Sequence, residues 1–163
     1  MSNEKKLHII CHDVPWPADY GGVVDLFYKL KLEDKIIFWG MIEPGELKAK
    51  TEAAYIAINP FERTGLNQYL SLSNKFFDYI HSAIPQVTMN YPEYRSINQE
   101  IEIAVLIDDL EPESISSAVN KLLSDKSLYE QLRSNCIKAR EKHNWQMEEK
   151  KLIAFYKNLF HDN

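Results

Sequence analysis

The residues best placed to do chemistry stand in one run, Ser71-Leu72-Ser73-Asn74-Lys75-Phe76-Phe77-Asp78-Tyr79, followed by Ile84-Pro85-Gln86-Val87. Ser73, Asn74 and Lys75 bring a hydroxyl, an amide and an ammonium to the start of an expected helix. Unpaired backbone N–H groups there already attract anions. That combination suits a phosphate. Asp78 follows one turn inside the helix, where a carboxylate either accepts hydrogen bonds from sugar hydroxyls or complements the helix dipole. Lys75 has a similar pair of roles, phosphate contact or solvated charge.

A second loop has weaker signals. Gly21-Gly22 follows Asp19-Tyr20 before a helix, and paired glycines let backbone approach an anionic ligand, though turn glycines with a purely structural role are more common. His12, His81 and His143 titrate near neutrality, but none has a spacing that marks a nucleophile, an orienting carboxylate or a metal partner. Glu62-Arg63 reads as a solvated pair on a rim loop. Tyr69, Tyr79, Tyr91 and Tyr94 read as helix–sheet packing more readily than as a stacking platform.

The elements that must position these residues alternate. Leu7 to Cys11, Lys35 to Gly40, Tyr55 to Pro60, Gln86 to Met89 and Ile103 to Ile107 are short apolar runs with strand character. Helical spacing occupies Gly21 to Lys31, Pro44 to Ala54, Asn74 to Ala83 and Tyr94 to Gln99, with a loop from Phe61 to Ser73. From Pro112 the pattern is helical throughout, with apolar stripes Ile115/Val119/Leu122/Leu123, Leu128/Leu132/Cys136 and Leu152/Phe155/Tyr156/Leu159. The expectation is an α/β fold: a three-layer Rossmann-like parallel sheet of about five strands with a helical C-terminus. In such sheets ligands bind beyond the carboxyl ends of the strands.

Composition sets the outer bounds. The 163 residues, 45% hydrophobic and 26% charged, suffice for a single domain over 1–163 with a real core. A net charge of −5 argues against general nucleic-acid binding. Cys11 and Cys136 alone make no disulfide framework and carry no metal-ligand spacing. Neither a signal-peptide core nor an apolar run of about 20 residues is present, so a soluble, cytoplasmic protein is expected, with a membrane-peripheral position left open.

Two blocks of residues resemble retaining glycosyltransferases of the GT-B fold, the group 1 family. His8-Ile9-Ile10-Cys11 through Pro15, Pro17, Asp19, Gly21, Gly22 and Leu26 resembles the start of the family's acceptor-side domain, covering 1–31. Residues 35–163 resemble the later part of its nucleotide-sugar domain. The run Ser-Leu-x-Asn-Lys-x-Phe-acid-Tyr is similar to bacterial surface-polysaccharide members. The resemblance implies that Ser73 and Asn74 face a diphosphate, that Asp78 faces the ribose, and that Met41 and Ile42 border the base. Gly21 and Gly22 then belong to a phosphate or acceptor loop.

The reaction so implied is retaining transfer from a nucleotide-diphosphate sugar to a glycan acceptor, in polysaccharide biosynthesis, with no metal or other cofactor. The alternative is a non-catalytic nucleotide-binding or self-assembling relative. Members are roughly twice this length, and Leu30 to Asp34 joins the two blocks almost directly. The acceptor-side histidine and the Arg/Lys pair that neutralises the leaving diphosphate have no counterpart. Many members carry a second acid eight positions before the first; here that position is Leu70. The first strand is expected to fill a place in one common sheet, and an uncovered apolar face would lead the chain to associate with itself.

Overall fold

The structure, a computed structural model, describes residues 6–10 and 23–161. The chain divides into two compact units, residues 1–50 and 51–163, and each is described by itself. The division falls inside a helix and not at the Leu30–Asp34 join.

In the first unit, β1 (Leu7–Ile10) pairs in parallel with β2 (Ile36–Gly40), Leu7 opposite Ile36, and the register shifts between Ile9 and Ile10. Helix α1 (Val23–Lys29) connects them, and α2 (Pro44–Glu52) follows β2. The last residue of β2, Gly40, has φ 63°, a left-handed backbone that glycine adopts without steric cost. Helix α1 ends in a Schellman turn: Lys31 N–H donates to the Tyr28 carbonyl and Leu32 N–H to that of Phe27, with Lys31 at φ 53°. On β2, Trp39 Nε1–H donates to His8 Nδ1 at 3.1 Å and the Lys50 ammonium lies 3.2 Å from the Trp39 ring centroid.

The second unit holds β3 (Ala57–Asn59), α3 (Leu66–Leu70), α4 (Asn74–His81), β4 (Gln86–Met89), α5 (Pro92–Glu100) and β5 (Ala104–Ile107). Three helices close it, α6 (Pro112–Ser124), α7 (Lys126–Lys142) and α8 (Trp145–His161). Its sheet is parallel in the order β3-β4-β5, with Ala57 opposite Gln86 and Gln86 opposite Ala104. All four residues of the central strand β4 are buried. Helix α4 packs on β3 and α7, and α6 packs on β4, β5 and α7. Phe76, Ile80, Val87, Tyr94, Ile103, Leu122 and Leu132 are sealed in the resulting core. Cys136 is sealed there too; its S–H points at the carbonyls of Ile84 and Ile103, and burial pushes the thiol up to about 12.

The Rossmann-like α/β class and the helical C-terminus match expectation, but the single sheet of about five strands does not. Five strands are described and they form separate sheets of two and three. The physical reason lies in pairing and cover: among the described residues β1 and β2 bond only each other and β2 stays half-exposed, whereas β4 is flanked by β3 and β5 and buried throughout. Two smaller differences accompany this. The expected loop 61–73 contains α3. The stripe on α8 is helical as the spacing implied, but every residue from Trp145 to Phe160 is exposed.

Candidate functional site

The site is built from the carboxyl end of β3 outward. Asn59 and Thr88 lie side by side in register on β3 and β4 and are both buried, so their polar groups need partners. Thr88 Oγ1 donates to the Asn59 carbonyl at 3.3 Å, and Asn59 Nδ2 donates to Ser73 Oγ at 2.9 Å. Ser73 is the N-cap of α4: its extended backbone, φ −80° and ψ 148°, aims Oγ at the Phe76 N–H, 3.3 Å away. Its own N–H donates to the Tyr94 hydroxyl at 2.8 Å. Strand end, helix start and α5 are therefore pinned on one serine.

This arrangement refines the sequence reading of the helix start. The Ser73 amide is committed to Tyr94 and the Phe76 amide to Ser73, so neither is an anion donor. The Ser73 hydroxyl accepts twice and keeps its own O–H to give. Asn74 and Lys75 occupy the first two helical positions, whose N–H groups have no carbonyl a turn earlier to bond. Both side chains are exposed. Asp78 is exposed as well, and among the described residues its carboxylate makes no hydrogen bond or ion pair. It lies beside Tyr79, whose hydroxyl is pushed up by burial first and by the Asp78 charge second.

Two further groups lie on the same edge of the sheet, and the first, Asn90 with Arg95 and Asp108, escaped sequence reasoning. Met89 and Ile107 are register partners, so the next residues, Asn90 and Asp108, emerge together. Asn90 Nδ2 donates to Asp108 Oδ1 at 2.6 Å, while Arg95 donates through Nε to Asn90 Oδ1 and through its terminal nitrogen to Asn90 O, each at 2.8 Å. Parallel registry of the two strands was the signal that would have found them. After β3, the Arg63 guanidinium lies 3.8 Å over the Tyr69 ring, which meets Tyr91 edge-on at 5.2 Å. The Tyr91 hydroxyl donates to the Phe61 carbonyl. Tyr91 and Tyr94 are buried packing residues, as the tyrosine pattern was read.

The remaining candidates are placed as follows. Met41 is exposed and Ile42 half-buried, just after β2 in the first unit. Gly21, Gly22 and His12 lie outside the described residues. His81 Nε2–H donates to the His143 carbonyl at 2.9 Å. Burial, then Lys142 and Lys151, hold the His143 imidazole below its ordinary range. Among the described residues no three metal-ligating side chains converge, and no helix is long and apolar enough to cross a membrane.

Taken together, fold and site define a Rossmann-like α/β protein with polar groups gathered at the carboxyl edge of a parallel sheet. Solved structures share that architecture. Sucrose-phosphate synthase from Thermosynechococcus elongatus superposes with a TM-score of 0.78 over 97% of this chain at 17% identity. WaaG, a glycosyltransferase involved in lipopolysaccharide biosynthesis, superposes with a TM-score of 0.66 over 90% of the chain at 16% identity. The chain thus has a shortened GT-B glycosyltransferase-like fold. It spans 39% and 36% of the lengths of those two proteins. No protein-family model matches the chain, and no curated protein sequence matches it.

Proposed function

We propose that the edge formed by Ser73, Asn74, Lys75 and Asp78 binds a nucleotide-diphosphate sugar and that the chain is glycosyltransferase-like in function as well as in fold. The observation that carries this reading is the pinned start of α4. Asn59 and Tyr94 hold Ser73 so that its hydroxyl proton, the Asn74 and Lys75 amides and the Lys75 ammonium are available to a diphosphate. The exposed Asp78, one turn on, offers its two oxygens to the ribose hydroxyls. Retaining transfer to a glycan acceptor, a place in polysaccharide assembly and a cytoplasmic location belong to the same reading, and no metal is required by it.

Thermal stability measured against UDP, GDP and a nucleotide sugar tests the proposal. A ligand at about 100 times its dissociation constant adds roughly 2.7 kcal/mol to the folded state. Lys75→Ala and Asp78→Ala should each shrink the shift while leaving the unliganded melting temperature within about a degree or two, since both side chains are exposed. No shift with any nucleotide rejects the site.

A second reading, binding without transfer, is favoured by the engagement of the arginines at this edge. A diphosphate leaving group needs fixed cations as charge develops, worth several kcal/mol. At this edge Arg95 is engaged with Asn90, and Arg63 lies over Tyr69. Release of free sugar from the donor separates the readings: turnover supports transfer, and binding without turnover supports the second.

A further inference from the structure

Helix α8 carries an apolar sector that nothing in the described residues covers. Asn144 caps its start, accepting from the Met147 N–H at 3.0 Å. At about 100° per residue, Trp145, Leu152, Ile153, Tyr156, Leu159 and Phe160 fall within a sector of about 120°. Trp145 is 64% and Phe160 69% exposed. An amphipathic helix of this length gains most of its stability by burying such a face, and contiguous exposed apolar surface marks an interaction site.

The charges on the helix choose the occupant. Glu149 lies inside the apolar sector, whereas Lys157 stands about 40° outside its Ile153 edge, about 80° round from Glu149. Glu148 is paired with Lys151 at 2.6 Å; Glu149 has no ion pair among the described residues. A lipid surface taking up the apolar sector would draw the Glu149 carboxylate towards the acyl chains, at a high desolvation cost. An antiparallel copy of the same helix avoids that cost. Residues equidistant from Ile153 then lie level, so Glu149 of one helix meets Lys157 of the other, twice over. The same register sets Gln146 against Phe160 and brings Leu152 to Tyr156 within two residues.

We propose that α8 is a self-complementary interface through which two copies of this chain pair about a two-fold axis near Ile153. The helix is 17 residues, about 26 Å long, so one helix pair buries less than a standard interface, and the dimer is weak. This interface is independent of the nucleotide-site reading.

Sedimentation of the full chain from low to high micromolar concentration tests it. The expected result is a monomer–dimer equilibrium weakened roughly five-fold by Glu149→Lys and by Lys157→Glu, each of which sets like charges level, and restored in the double variant. Both substitutions are at exposed positions, and circular dichroism checks that the fold is retained. A chain monomeric throughout overturns the proposal, as does a dimer indifferent to the charge swaps. So does co-sedimentation with phosphatidylglycerol vesicles in place of dimerisation.

Discussion

Ser73 and its neighbours show how one small side chain sets the geometry of a loop. It joins β3 through Asn59, caps α4 through the Phe76 amide and meets α5 through the Tyr94 hydroxyl. Ser73→Ala removes the cap, about 1 kcal/mol, and strands the buried Asn59 amide, about 1–3 kcal/mol more. A loss of roughly 2–4 kcal/mol in urea denaturation is expected, with Ser73→Thr much milder because it keeps the oxygen. A loss below about 0.5 kcal/mol would show that the serine is not the anchor. The polar run 73–75 and its helix start were legible in the sequence. The Tyr94 contact was not, because it spans 21 residues and depends on α5 lying beside α4. The Asn90–Arg95–Asp108 network was hidden for the same reason, since strand registry creates it.

At the scale of elements, two helices end in left-handed residues that are not glycine, Lys31 at φ 53° and Ala83 at φ 56°. Ala83 closes α4 as Lys31 closes α1: its N–H reaches the Ile80 carbonyl and the Ile84 N–H reaches that of Tyr79. A side chain in this conformation costs roughly 1–2 kcal/mol. Lys31 is exposed, so Lys31→Gly should stabilise the first unit by about 0.5–1 kcal/mol in chemical denaturation. Ala83→Gly should gain less, since the Ala83 methyl packs against the core.

The joint between α7 and α8 has its own signature. His143 titrates below the ordinary 6.5 in the folded chain, so the unfolded chain binds the proton first. Stability is full above the unfolded value and falls as pH drops through 6.5 towards the lower folded value. His143→Gln should flatten that part of the profile, and an unchanged slope would assign the pH dependence to other groups. Strands, most helices and the α/β class were readable from periodicity. Sheet membership was not, because an apolar run has the same pattern whichever neighbour its backbone bonds; α3 was missed because five residues are too few to show a period.

At the scale of the whole molecule, the sheet of the second unit depends on distant contacts: Asn59 pairs with Thr88, and the Cys136 thiol lies against the carbonyl of Ile84, 52 residues earlier. Contacts of that separation form slowly. If nucleotide binds as proposed, hydrogen exchange should slow at Asn74 and Lys75, whose amides have no helical partner, and Lys75→Ala should diminish that protection. Unaltered exchange there, with binding established by other means, would move the site elsewhere.

Cys136 also makes the unit its own timekeeper. A thiol with no exposure and an ionisation pushed to about 12 is inert while the core is shut, because only a solvent-accessible thiolate attacks a labelling reagent. The sequence has two cysteines, so in a Cys11→Ser background every modification event reports an opening of the packing of α7 on α4 and α6. At high reagent concentration the labelling rate becomes the opening rate itself; at low concentration it reads the open population. A nucleotide that binds only the closed form should slow this clock in the second regime by the factor with which it stabilises the fold.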